Sequence, residues 1–254
     1  MSVELQHRED LVRFGRLVHE QGFVSACDGN LSVRLDSHRI LATPTGVSKG
    51  MMQASDMVVV DLHGKRVEGE REVSSEIAMH LTVYRVRPDI HAVVHAHPPT
   101  ATGFASAGMA LDQPICSEVV VTLGAVPLAE YGTTGTPELS ASLLPYVHDY
   151  DAILLSNHGT VTYGTSLMHA YLKTEAVEHF AKIMLVTLQL GQQRTLSPAN
   201  IRKLVEARRN YKGNNSLASM PVGPLEKPDR DLEENLDKLK AILREEDILA
   251  SRKR

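Results

Sequence analysis

Apolar residues recur along the chain at two different periods, and the switch between them marks out the elements. Over 4–22, Leu5, Leu11, Val12, Phe14, Leu17 and Val18 share one face of a 3.6-residue repeat and Gly22 supplies a stop, predicting a helix. Shorter runs follow. Leu31–Leu35 and Ile40–Leu41, joined through Asp36-Ser37-His38, predict a hairpin, and Val58–Val60 before His63-Gly64-Lys65 predicts a further strand. Ser74-Ser75-Glu76 opens a helix to about Arg87, which Pro88 stops. Ala92-Val93-Val94 has the β-branched content of a buried strand, and Pro98-Pro99 ends its ladder. A short helix is expected over 100–107, then strands at Val119–Val121 and Val126–Leu128. Thr136 as N-cap with Pro137 in the first turn starts another helix. Strands at 152–155 and 160–163 flank Asn157-His158-Gly159. Ser166 caps a long helix to about Leu190, and Ser197-Pro198 starts one ending near Tyr211.

The pattern changes after Tyr211. The Gly-, Asn-, Ser- and Pro-rich stretch from Gly213 reads as a linker, and 229–251 predicts an amphipathic helix carrying Leu232, Leu236, Leu239 and Leu243. We therefore divide the chain into a catalytic domain over 1–213 and a linker plus helix over 214–254. That last helix either packs on its own domain or docks on another subunit. A length of 254 residues suits one large α/β domain. A formal net charge of −4 gives no electrostatic footprint for nucleic acid or a membrane surface. Two cysteines do not make a disulfide scaffold, and the first residues lack the apolar core of a secretion signal, so a cytoplasmic enzyme is expected.

The chemistry-bearing residues begin with His95 and His97. Two residues apart in a strand, they project side by side and can chelate one divalent ion through neutral nitrogens. His158, at another strand end, makes a third imidazole, and three with an open position describe a catalytic rather than a structural metal site. Glu76 adds a carboxylate near a helix start, as a fourth ligand, a general base or both. His80, one turn later, is expected to be a packing residue. Gly29-Asn30-Leu31-Ser32, Thr43-Pro44-Thr45-Gly46 and Ser74-Ser75 offer small polar side chains and backbone N–H groups suited to a phosphate.

With Tyr131-Gly132-Thr133-Thr134-Gly135-Thr136 and Asn157-His158-Gly159, these motifs stand in the order and spacing of one family. From about residue 8 to 213 the chain resembles the class II aldolase/adducin-head family, typified by fuculose-1-phosphate aldolase. The resemblance implies an α/β fold of three layers, α/β/α, with a central, mainly antiparallel sheet. It also implies a homo-oligomer, commonly a tetramer with active sites between neighbours. By the same resemblance His95, His97 and His158 hold Zn²⁺, or Mn²⁺, Co²⁺ or Fe²⁺, and Glu76 is acid/base and resting ligand. Asn30, Thr45, Gly46, Ser74 and Ser75 would hold the substrate phosphate. The implied reaction is cleavage of a small ketose 1-phosphate to dihydroxyacetone phosphate and an aldehyde.

Related outcomes are open on this fold. Ribulose-phosphate 4-epimerases tend to carry Ser-Ser-Asp where this chain has Ser74-Ser75-Glu76, which favours the aldolase branch. Methylthioribulose-phosphate dehydratases and sugar-acid phosphate decarboxylases share the histidines and the glutamate. Adducin heads lack the metal ligands, so intact His95, His97 and His158 argue against a scaffold. One departure stands out. A family tyrosine that protonates the leaving oxygen is missing here, where Cys116-Ser117-Glu118 precedes Val119–Val121. Glu118 is a candidate replacement. Tyr211 resembles the family's terminal tyrosine, which reaches the site across an interface. The missing tyrosine suggests a less polar aldehyde, as from a 5-deoxypentulose phosphate.

Overall fold

A computed structural model of the chain describes residues 2–210, 234, 237–242 and 244. Its centre is an eight-stranded sheet made of β1 (Asn30–Arg34), β2 (Arg39–Ala42), β3 (Val58–Asp61), β4 (Arg66–Glu68), β5 (Ala92–Ala96), β6 (Leu128–Ala129), β7 (Ala152–Leu155) and β8 (Gly159–Gly164). The strand order is β4-β3-β2-β1-β5-β8-β7-β6, antiparallel throughout except that β6 runs parallel to β7. Helices α1 (Val3–Glu20), α2 (Ile77–Val86), α3 (Pro99–Ser106), α4 (Ser117–Thr122), α5 (Pro137–Val147), α6 (Leu167–Gln189) and α7 (Pro198–Asn210), with a single 3-10 turn at Ala54–Asp56, complete the named elements.

Both sheet faces are covered, and that explains the unbroken apolar runs in the strands. One face packs Val58, Val60, Val93, Val161, Ile153 and Leu155 against Met79, Val83 and Tyr84 of α2 and Leu139, Leu143 and Tyr146 of α5. The alternate residues Leu41, Val59, Ala92 and Val94 meet Leu11, Phe14 and Val18 of α1 and Ala170 and Tyr171 of α6. The period of two thus assigns His95 to the face that α2 covers, the same face as Val93. This is the expected three-layer α/β/α fold with a mainly antiparallel sheet.

Three boundaries differ from the sequence reading. The expected strand at Val119–Val121 is the helix α4. Val119 and Leu123 are buried together with Phe180 and Met184 of α6 and Val120 is buried as well, and positions i, i+1 and i+4 share a helix face rather than a strand face. Tertiary burial overrides the β-propensity of three valines. The helix expected to open at Ser74 starts at Ile77, with Glu76 as its N-cap, because Ser74 and Ser75 form the turn before it. The strand expected over Val126–Leu128 is shifted to Leu128–Ala129, while Val126 makes a bridge to Leu111. The exposed strand β4 was not anticipated, since its Arg66-Val67-Glu68 carries no apolar alternation. Residues 234, 237–242 and 244 are helical and Leu239 is buried. The rest of 229–251, the boundary at 213 and Tyr211 lie outside the described residues.

Candidate metal and substrate site

Strand β5 delivers His95 at its end, paired with Asn30 of β1 and Val161 of β8. His97 follows one residue beyond the ladder. The turn between β7 and β8 supplies His158, and Asn157 holds it there in the left-handed region at a φ of 54°. Two glycines permit the approach. A Cβ on Gly29 would lie 2.9 Å from the His95 carbonyl oxygen, and one on Gly159 would lie 2.5 Å from Cδ2 of His97. The glycines of two sequence motifs are therefore space for the histidines.

The three imidazoles converge. Their ring centroids are 4.7–5.0 Å apart, and one nitrogen from each lies within 4.8 Å of the others. This is the group of His, Cys, Asp or Glu side chains, among the described residues, that could hold a metal ion. His95 donates from Nδ1 to the Thr160 carbonyl at 2.8 Å, which leaves its Nε2 lone pair facing inward. His95 Nε2 then stands 3.0 Å from Nε2 of His97. Burial, reinforced by His95 and His158, pushes the His97 imidazole down to about 3, so it is neutral and able to ligate at pH 7.

Glu76 closes the fourth side. Its Oε2 lies 3.2 Å from Nε2 of His95 and its Oε1 lies 3.1 Å from Nε2 of His158. The second contact lacks hydrogen-bond geometry, so Oε1 is a buried carboxylate oxygen without a donor, and Nδ1 of His158 is likewise unpartnered. Burial pushes the Glu76 carboxyl up, but the adjacent His95 and His158, His95 foremost, outweigh it and hold the carboxyl well below its ordinary range. Three imidazoles and an orphaned carboxylate oxygen pointing at one another fit a divalent cation by donor type and by the open partner they leave.

Beside this centre is a cavity of about 330 Å³, lined by Asn30, Thr45, Ser74, Ser75, Glu76, His97 and His158. It places the expected phosphate residues next to the expected metal ligands. Gly46 follows Thr45 at a φ of 68°, turning the backbone at the cavity edge. The bridge Pro44↔Val73 and the bond from Thr45 N to Glu72 O, at 3.0 Å, tie that loop to the Ser74-Ser75 turn. Asp28 and Thr134 also line the cavity and were not singled out from sequence. Their signals were present, as the Asp28-Gly29 turn and the middle of the 131–136 motif.

Glu118 lies exposed in the first turn of α4, 3.2 Å from the Cys116 thiol, and is not among the residues of this chain that line the cavity. His80 is more than a packing residue: fully buried, it bonds Ser32 through Nδ1 at 2.7 Å and Asn30 through Nε2 at 2.5 Å. Its spacing of four from Glu76 on one helix face was the available signal.

The family model for the Class II Aldolase and Adducin N-terminal domain matches residues 9–185. A 5-deoxy-D-ribulose 1-phosphate aldolase of Bacillus thuringiensis serovar kurstaki is 32% identical over 81% of this chain and 97% of its own. A 3-oxo-tetronate 4-phosphate decarboxylase of Haemophilus influenzae is 33% identical over 79% of this chain and 97% of its own. Among solved structures, an L-fuculose 1-phosphate aldolase superposes with a TM-score of 0.75 at 32% identity, covering 82% of this chain and 98% of that one.

Proposed function

Because the chain belongs to the class II aldolase and adducin N-terminal domain family, we propose that it is a divalent-metal aldolase cleaving a small ketose 1-phosphate to dihydroxyacetone phosphate and an aldehyde. The observation that carries this reading is the juxtaposition of Glu76 and three histidines with a cavity walled by Asn30, Thr45, Ser74 and Ser75. The Bacillus relative, named for 5-deoxyribulose 1-phosphate, supports a sugar with an apolar far end.

A cation held by His95, His97 and His158, with Zn²⁺ the first choice and Mn²⁺, Co²⁺ or Fe²⁺ as others, would supply Lewis-acid stabilisation of charge developing on the substrate oxygens. The residues of this chain do the rest. Thr45, Gly46, Ser74, Ser75 and Asn30 anchor the phosphate with neutral donors, and that fixes the sugar's C3 beside Glu76. Cleavage breaks the C3–C4 bond, moving a proton from the C4 hydroxyl and placing one on C3. Glu76 delivers the proton to C3, and in synthesis removes it. The adjacent His95 and His158 keep Glu76 ionised at rest, whereas turned away from them its burial raises its affinity for a proton.

The assembly in this reading is a homotetramer, with Tyr211 of a neighbouring subunit acting on the C4 oxygen. The apolar side chains Met168, Leu172 and Val186, exposed along α6, and Leu190 at its C-cap support a subunit contact. The name of the Haemophilus relative favours a second reading, decarboxylation of a 3-oxo acid phosphate at the same centre.

The test is to supply metal-loaded protein with fuculose-, ribulose- and 5-deoxyribulose 1-phosphate and with 3-oxo-tetronate 4-phosphate. The aldolase reading expects dihydroxyacetone phosphate from one of the first three, lost on chelation. Carbon dioxide from the fourth alone would replace it with the decarboxylase. Glu76→Gln is expected to retain the metal and lose most turnover, and full activity in that variant would remove Glu76 as the acid/base.

A further inference from the structure

The polar groups beneath Glu76 form one buried chain running from α2 through β1. Tyr84 Oη lies 2.8 Å from Ser32 Oγ, Ser32 Oγ lies 2.7 Å from His80 Nδ1, His80 Nε2 lies 2.5 Å from Asn30 Oδ1, and Asn30 Nδ2 lies 2.9 Å from Glu76 Oε2. Tyr84, Ser32, His80 and Asn30 are all 4% exposed or less, so water does not compete for these partners.

The direction of every bond follows from the last one. An ionised carboxylate only accepts, so Asn30 must present its amide nitrogen to Glu76 and its carbonyl to His80. A carbonyl only accepts, so His80 must carry its proton on Nε2. Its bare Nδ1 then accepts the Ser32 hydroxyl proton, and Ser32 in turn accepts from Tyr84. Burial, with His95 adding to it, pushes the His80 imidazole down to about 3, consistent with one ring proton rather than two. The chain therefore has one self-consistent polarity, and every donor in it points toward the carboxylate.

We propose that His80 is a positioning residue that, from one helical turn below Glu76, locks the Asn30 amide with its nitrogen toward the site and so holds the Glu76 carboxylate in place. Asn30 lines the same cavity as Glu76 and bonds its carboxylate. Without His80, the Asn30 carbonyl loses its donor, and the carboxylate alone is left to hold the amide in this orientation. Sequence patterning hides this role because a histidine on the buried face of a helix resembles core packing. The inference rests on the reading of Glu76 as acid/base.

The decisive measurement is the ring protonation of His80 in zinc-loaded wild-type protein labelled with ¹⁵N-histidine, read from long-range ¹H–¹⁵N correlations. The expected result is a neutral ring with its proton on Nε2, assigned by loss of the signal in His80→Gln. A proton on Nδ1, or on both nitrogens, at pH 7 overturns the proposal whatever the enzyme's substrate. A pair of variants reads the consequence. His80→Phe keeps the ring volume but neither nitrogen, and is expected to keep one zinc per chain while kcat falls about 10- to 100-fold. His80→Gln, which can donate to Asn30 and accept from Ser32, is expected to restore most of that loss. Wild-type kcat in His80→Phe, or no recovery in a folded His80→Gln, counts against the proposal. If wild-type protein cleaves none of the sugar phosphates, the aldolase reading falls and the tautomer alone decides this inference.

Discussion

Replacing Gly159 with alanine adds a single methyl group behind the three clustered histidines, and the structure sets the size of the effect. The added Cβ would lie 2.5 Å from Cδ2 of His97 and 2.7 Å from the Ala96 carbonyl oxygen. Ordinary carbon–carbon contact is about 3.5–4.0 Å, so the His97 ring falls short by about 1 Å. Ala96 cannot give way, because its carbonyl accepts from Thr160 Oγ1 at 3.1 Å and its strand is paired with β8. The ring must move instead. Ligand distances in a metal site hold to roughly ±0.2 Å, so a displacement of about 1 Å takes His97 out of reach. Gly159 lacks a positive φ, which leaves sterics as the only cause. The expected outcome is a destabilisation of about 1–3 kcal/mol and a fall in metal affinity of about 100-fold or more. Competition with a chromophoric chelator, together with metal analysis after dialysis, measures the affinity, and urea unfolding measures the stability. A folded Gly159→Ala protein that binds one ion with wild-type affinity would refute the reasoning that places His97 in the ligand set.

Further outcomes are expected from the same geometry. Asp151→Asn should destabilise by about 3–5 kcal/mol while leaving metal content unchanged. The Asp151 side chain is 9% exposed, pairs with Arg87 at 3.1 Å and Lys173 at 2.7 Å, and lies at the opposite end of the β5–β8 pair from the histidines. Urea midpoints and metal analysis read the two effects separately. His80 makes stability fall with acid. Its folded value of about 3 lies below the ordinary 6.5, so the unfolded chain binds the extra proton first, and stability is lost as pH falls from about 6.5 toward 3. At pH 5 the loss is about 2 kcal/mol, from 1.5 pH units at 1.36 kcal/mol each. The gap in unfolding free energy between pH 7 and pH 5 should shrink by that amount in His80→Gln, and an unchanged gap would remove His80 as its source.

The strands and most helices were legible because each buries one regular face. Val93, alternating with Ala92 and Val94, marks β5, and Thr136 and Ser166 cap α5 and α6 as their residue types suggest, accepting from Glu138 N and His169 N. Where burial and propensity disagree, the reading failed. Three consecutive valines at 119–121 read as a strand until the packing of Val119 against Phe180 and Met184 makes them part of α4. Strand β4 has no buried face at all, so no alternation announced it.

The motifs alone pointed to the kind of chemistry proposed. Two imidazoles at strand spacing, a third beside a glycine, and small polar turns name a cation and a phosphate by donor type, wherever the chain carries them. The fold decided the partners. That Glu76 faces both His95 and His158 and that His80 braces Asn30 depend on α2 lying over β1 and β5, and only the folded chain brings Asp28 and Thr134 to the same cavity. Side-chain period is local and written in consecutive residues, whereas the meeting of residues 30, 76, 80, 95 and 158 comes from which layers pack together, a property of the whole sheet.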